Sequence, residues 1–223
     1  MERDYGFIVN DKRVLRLCRA MGIKSCIKSK PCGCTVSARH PEHVAENILN
    51  RKFTAQAPDE KWLADVTEFK YYLGIEKHKV YLSAILDLYD CRIVAYVIRD
   101  SNNNSLVFDT FDDAVSQNPI VHPLFHSDRG GKFTSRNFHE RLENAGMTQS
   151  LSRVGKCIDN GSMEGFWGIL KREKYYGRRF TDRETLIHMI EDYITYYNHR
   201  RYQQKLGVLT PWEKYEAYNQ TAA

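Results

Sequence analysis

Apolar positions change rhythm twice along the chain. From Asn10 to Met21, Val14, Leu15, Leu17, Cys18 and Met21 recur at helical spacing. Asn10 or Asp11 can cap that helix and Gly22 can end it. The middle of the chain follows a strand pattern. Trp62, Leu63, Val66 and Phe69 mark a strand over Lys61 to Tyr72. The nearly continuous apolar runs Lys79 to Leu88 and Cys91 to Ile98 read as buried strands, and Tyr89-Asp90 between them predicts an antiparallel hairpin. A helix follows over Ser105 to Gln117, then a strand over Ile120 to Ser127. Next come a helix over Ser135 to Ala145 closed by Gly146 and a strand over Met147 to Leu151. Two long helices, Asp159 to Tyr176 and Arg183 to Asn198, complete the pattern. The expectation is an α/β fold, a mixed sheet flanked by helices.

Composition excludes several classes. Of the 223 residues, 42% are hydrophobic and 27% charged, a foldable globular balance. No apolar run approaches bilayer length, and Met1-Glu2-Arg3-Asp4 opens no secretory signal. Six cysteines in this setting read as reduced thiols, so a cytoplasmic protein with no membrane partner is expected. The net charge of +5 is unevenly spread. Residues 1–57 carry 11 basic and 5 acidic side chains, residues 58–152 carry 10 and 14, and residues 153–223 carry 12 and 9. Basic flanks fit a polyanion partner, and an acidic centre fits carboxylates gathered around a cation. Arg13, Arg16 and Arg19 at three-residue steps form a basic ridge that could read DNA, a pattern shared with any basic surface helix.

Three carboxylates stand out. Asp65 interrupts the apolar strand around Trp62 and Val66, where a lone Asp is costly to bury unless paired or metal-bound. Asp128 follows a strand and precedes Gly130-Gly131, which allow a sharp turn. Glu164 lies one turn into a helix. At about 100° per residue, Phe166, Ile169 and Leu170 fall about 200°, 140° and 240° away from it. Gly168 and Lys171 fall at about 40° and −20°, beside the carboxylate, with small glycines leaving room for a ligand. Three such carboxylates can hold two hard divalent cations for phosphoryl chemistry.

The pattern reads Asp-x62-Asp-x35-Glu. It resembles the DDE catalytic core of retroviral integrases and, more closely, the OrfB-type transposases of the insertion-sequence-three family. The stretches that carry the resemblance are QAPDEKWLADVTEF, HSDRGGKFTS, SLSRVGKCIDNGSMEGFWGILKRE and YYNHRRYQQKLGVLTPWEKY. It implies a ribonuclease H-like fold and a metal-dependent polynucleotidyl transferase. In that reading Asp65, Asp128 and Glu164 are both the catalytic and the metal-binding triad. Mg²⁺, two ions, would serve, with Mn²⁺ able to substitute. The partners would be element ends and target DNA, further copies of the chain and the upstream OrfA product, acting at the bacterial nucleoid.

Around the triad, Lys156 and Lys171 would meet DNA phosphates, and Asn160 would cap the Glu164 helix and touch DNA. His126 and Ser127 would shape the loop. Asp87 reads as structural, Asp159 as a helix cap, and Trp62, Phe166 and Trp167 as packing. Cys26, Cys32 and Cys34 before His40 and His43 do not match a familiar zinc spacing, and Cys157 reads as a small buried residue. The implied organisation is a remnant of a helix-turn-helix segment over 1–30, a basic linker over 31–57, a catalytic core over 58–200 and a tail over 201–223. Against the family the chain begins in the second half of its helix-turn-helix segment. The rival expectation is therefore a truncated, non-catalytic DNA-binding regulator, and a structure-specific nuclease of the same fold is a third.

Overall fold

The computed structural model describes Asp4, Gly6, residues 8–23 and residues 41–222. The chain divides into two units, residues 1–31 and 32–223. Cys26, Cys32, Cys34 and His40 lie outside the described residues, as does the side chain of Cys157.

The first unit contains α1 (Asp11–Ala20). Asn10 caps it as expected, its Oδ1 accepting from the Lys12 N–H at 2.9 Å. Arg13, Arg16 and Arg19 are all exposed, and no residue of α1 is buried.

The second unit is built on a five-stranded sheet of order β3-β2-β1-β4-β5. β1 (Lys61–Leu73) and β2 (Glu76–Asp87) form a long antiparallel hairpin, turned at Gly74 with φ +62°. β3 (Ile93–Arg99) pairs antiparallel with β2. The predicted Tyr89-Asp90 turn is therefore present, with Cys91 taking the left-handed conformation. α2 (Asn104–Gln117) then crosses to β4 (Leu124–Ser127), which runs parallel to β1. The strand predicted from Ile120 starts only at Leu124, because Pro123 has no N–H for the ladder. α3 (Arg136–Asn144) leads to β5 (Thr148–Leu151), parallel to β4.

Side chains alternate across β1, and each face buries its own core. Trp62, Ala64, Phe111, Phe125 and Phe138 fill one core beneath α2 and α3. Leu63, Phe69, Val80 and Leu82 fill the other with residues of the C-terminal helices. Those helices are α4 (Gly161–Leu170) and α5 (Arg183–His199), and α6 (Pro211–Ala222) follows them. The single helix expected over Asp159 to Tyr176 is in three pieces. A 3₁₀ turn precedes α4, and a π turn over Lys171–Tyr175 follows it.

Residues 41–57, read as linker, run along this body. Leu49 is buried in the core. The His43 N–H donates to the Thr134 carbonyl, and the Ile48 and Leu49 N–H groups both donate to Ser150 Oγ. The tail is likewise structured, with the Arg92 guanidinium 4.2 Å from the ring centroid of Tyr215 in α6. Edge strand β3 is closed at one point by a side chain. Asn198 accepts from the Ile93 N–H at 2.9 Å and donates to the Ile93 carbonyl at 3.0 Å.

Two buried charge centres join distant segments. Asp87, Asp90 and Arg92 sit together at the β2–β3 turn, and Arg92 binds Asp59 at 2.6 Å and Asp90 at 3.2 Å. Asp87 accepts from the Asp59, Tyr89 and Asp90 N–H groups, so its structural reading holds. Asp159, expected to cap a helix, instead joins three segments. Its fully buried carboxylate accepts from Arg51 Nε at 2.7 Å, Asn47 Nδ2 at 2.9 Å and Arg153 through the backbone and both sides of its guanidinium. The Arg153 bonds hold this carboxyl well below the usual range. His126 is also fully buried, with Nδ1 2.8 Å from Ser150 Oγ and Nε2 3.1 Å from Ser152 Oγ. Burial lowers its ring to about 4.

Asp159→Asn is expected to cost about 2 kcal/mol, a fall in Tm of roughly 4–8 °C by calorimetry, because two arginines lose their shared anion. His126 makes the protein acid-sensitive. The folded ring stays neutral down to about 4 while the unfolded ring protonates near its ordinary value. Stability due to this residue is therefore constant above about 6.5 and falls by about 1.4 kcal/mol per pH unit between there and about 4. Urea titrations of the wild type and His126→Gln across this window should differ in pH slope.

Candidate active site

The register of two parallel strands creates the site. β1 and β4 pair Leu63 with His126 and Ala64 with Ser127, so the next residues, Asp65 and Asp128, leave the ladder side by side. Parallel neighbours lie about 4.8 Å apart, which brings two carboxylates into mutual reach. Asp128 then turns back on itself, its Oδ1 accepting from the Gly130 N–H at 2.9 Å. A Cβ at Gly130 would stand 3.0 Å from that oxygen, so the glycine suits the turn.

The pair carries an electrostatic penalty. Burial, then the neighbouring Asp128 charge, push the Asp65 carboxyl up to about 7. Burial also raises Asp128, opposed by the Gly130 N–H and by Lys132. The half-buried Lys132 ammonium lies near both carboxylates and is itself lowered by burial. Glu164 is in the first turn of α4 and exposed, and loss of water on its protein side raises it too. It adds the smallest of the repulsions on Asp65. Among the described residues no three acidic, imidazole or thiol groups are close enough to clasp an ion as they stand. The structure thus brings two of the expected three carboxylates together, with the third nearby.

The donor set nevertheless suits a hard cation. Asp65 Oδ1 accepts one bond, from the Val66 N–H at 2.8 Å, and Oδ2 accepts one, from Trp167 Nε1 at 3.0 Å. Each oxygen keeps a lone pair. Oxygen donors held close at like charge are what Mg²⁺ or Mn²⁺ favours.

Other expected residues divide. Lys171 opens the π turn after α4, donating to Thr67 Oγ1 at 2.6 Å with its ammonium 5.0 Å from the centroid of the Phe69 ring. Lys156 is exposed on the loop before α4. Asn160 does not cap α4 and does not face solvent, being only 3% exposed. Its Nδ2 donates instead to the Ala64 carbonyl at 3.1 Å, and its buried Oδ1 has no partner among the described residues. The two glycines also differ. Space beside Gly165 is open, but the Arg172 guanidinium fills that beside Gly168, 2.9 Å from where a Cβ would sit. His126 and Ser127 are buried and shape the strand end. Trp62 and Phe166 pack in the two cores, as expected.

Comparison with known proteins places this geometry. An integrase core domain model matches residues 55–157, and a second integrase core domain model matches residues 145–211. An uncharacterized transposase-like protein of Haemophilus influenzae is 39% identical over 203 residues, spanning 91% of both chains. A putative transposase for insertion sequence element IS150 of Escherichia coli is 36% identical over 212 residues, 92% of this chain and 71% of its own.

The chain belongs to the insertion-sequence-three family of transposases.

It is accordingly a polynucleotidyl transferase of the DDE transposase and integrase class, and the non-catalytic regulator is not favoured. Solved structures agree on the fold. The catalytic core domain of the HTLV-2 integrase, in complex with magnesium, superposes with a TM-score of 0.54 at 21% identity, covering 72% of this chain and 98% of its own. The simian T-cell lymphotropic virus intasome gives 0.62 at 17% identity, covering 91% and 69%. The ribonuclease H-like expectation therefore holds.

Two site neighbours of this transposase escaped the sequence reading. Lys132 stands four residues past Asp128 in a turn whose path the sequence leaves open. Trp167 packs in the core as expected, and its indole N–H also reaches Asp65 Oδ2.

The raised Asp65 carboxyl has a measurable consequence. Between its ordinary range and about 7, the folded protein holds a proton that the unfolded chain has released. Stability falls as pH rises through that window, and the penalty is complete above it. Without divalent ions, Asp65→Asn should therefore raise Tm at pH 8, by roughly 2–4 °C for each kcal/mol relieved, and change it little at pH 4.

Proposed function

We propose that this transposase cleaves DNA at the ends of its insertion sequence and joins the freed 3′-hydroxyls to target DNA, using Asp65, Asp128 and Glu164 as its metal-binding catalytic triad. The observation that carries this reading is the β1–β4 register, which sets Asp65 beside Asp128 with Glu164 on the helix facing them. Asp65 and Asp128 form the fixed part of the ligand set. Glu164, exposed on the first turn of α4, would complete it. Asp65, Asp128 and Glu164 would hold the divalent ions, and the chemistry these would supply is activation of a water or a 3′-hydroxyl for in-line displacement at phosphorus.

The remaining residues handle the DNA. Lys171, held over Phe69 by Thr67, places an ammonium two β1 residues beyond Asp65, where it offsets phosphate charge. Lys156 extends the same field from the exposed loop. Arg13, Arg16 and Arg19 present a basic ridge for further phosphate contacts. The working form is a multimer of this chain that pairs two element ends, with the upstream OrfA product as a partner in end recognition. Its place of action is DNA in the bacterial cytoplasm.

The test combines labelled oligonucleotides carrying the element ends, supercoiled plasmid, and Mg²⁺ or Mn²⁺. Wild-type protein should cleave and join in a metal-dependent way, and Asp128→Asn should lose about 1,000-fold or more of the joining rate. Cleavage without joining in the wild type would favour a nuclease. DNA binding with neither reaction, under either metal, would overturn the reading.

A further inference from the structure

Past Ala64 strand β1 has no strand partner on its β4 side among the described residues, because β4 is only 4 residues long and its last ladder partner is Ala64. The strand that carries Asp65 thus continues with one edge unpaired by any strand. Side chains from α4 and the π turn after it run along this stretch, Tyr175 on the edge backbone and Trp167 and Lys171 on β1 side chains. Trp167 Nε1 donates to Asp65 Oδ2 at 3.0 Å. Lys171 donates to Thr67 Oγ1 at 2.6 Å. Tyr175 accepts from the Lys70 N–H at 2.9 Å and donates to the Lys70 carbonyl at 3.2 Å. The three residues are spaced by four. In an α-helix a four-residue step advances about 40° past a full turn, and the wider π turn cancels that drift, returning Tyr175 to the line of Trp167. The Lys171 carbonyl accepts the closing π bond from the Tyr176 N–H at 2.7 Å.

We propose that Trp167 is a positioning residue for Asp65, one that sets the plane of the carboxylate and ties it to the helix bearing Glu164. The proposal rests on the metal-binding role given to Asp65 above. Trp167 is 6% exposed and packed against Phe166, ring centroids 5.0 Å apart, so its indole N–H has a fixed direction. The Val66 N–H fixes the other carboxylate oxygen from the strand itself. Together the two donors determine the carboxylate rotation and leave the remaining lone pairs directed outward. One indole also sits three residues from Glu164, so any displacement of α4 along β1 moves Glu164 and the Asp65 carboxylate together. Outer hydrogen bonds of this kind orient ligating groups, and their loss typically weakens metal affinity by about 10- to 100-fold.

Trp167→Phe keeps an aromatic ring and removes the N–H. Calorimetric titration of the full chain with MgCl₂ or MnCl₂ alone, without DNA, should show affinity about 10- to 100-fold weaker than wild type, with circular dichroism and Tm close to wild type. A folded Trp167→Phe protein that binds both metals as wild type does would overturn the proposal. Asp65→Asn runs in parallel. If it too binds metal normally, the triad assignment fails. If it loses binding while Trp167→Phe does not, only the role of Trp167 fails. Should Trp167→Phe not fold, the wild type decides the matter through its three tryptophan indole N–H resonances. One of them should shift with Mg²⁺ in step with calorimetric binding and stay still in Asp65→Asn. No shifting indole resonance despite measured binding would overturn the proposal.

Discussion

The register of four residue pairs between β1 and β4 is the constraint on which this molecule turns. A shift of one position would send Asp65 to the opposite face and dissolve the site, because strand side chains alternate. Aligning two like charges at a partly buried strand end works against folding, so the alignment has to be enforced from elsewhere. His126 bonds to both Ser150 and Ser152, locking β4 against β5 and the segment after it. Asn160 reaches the Ala64 carbonyl, one residue before Asp65, and Leu63, Phe69 and Phe125 bury the strands on either face. The hydrophobic cores thus stabilise a local arrangement that electrostatics alone would spread apart.

The same shortness of β4 that ends the ladder at Ala64 opens the edge along which α4 lies. α4 and β1 meet through side chains with no intervening backbone ladder. Such contacts are adjustable in a way that strand pairing is not. An exposed Glu164 on the first turn of a helix anchored three residues later combines freedom at the carboxylate with a fixed pivot. Lys132 places positive charge near the aspartates, and this moderates repulsion within the site.

Much of this was legible in the chain. Continuous apolar runs gave away β2 and β3, and turn residues fixed the hairpin between them. An Asp inside a strand, an Asp before two glycines and a Glu opposite a core stripe were each visible locally. Their joint spacing carried the family resemblance. What stayed hidden depends on partners far away in sequence. Asn47 meets Asp159 across 112 positions, so residues 41–57 looked like a linker although Leu49 is buried in the core. Asn160 sits where a cap belongs, yet its amide finds Ala64, 96 positions back. Helical periodicity also assumes a constant 3.6 residues per turn, and the π turn after Leu170 breaks that assumption without a proline or glycine to announce it. Trp167 is the instructive case. It is core, as its type suggests, but the bond from its indole to Asp65, 102 positions back, is set by the fold and not by local periodicity.

A different consequence follows from the amide of Asn198. β3 is an outer strand with unsatisfied backbone groups along its free side, the usual starting point for unwanted sheet growth. At Ile93 one side chain fills both the donor and the acceptor position that an incoming strand would need. Extension of the sheet there requires expelling a group of the same molecule first. Edge-to-edge stacking is thereby disfavoured at that point, and among the described residues the sheet ends at five strands.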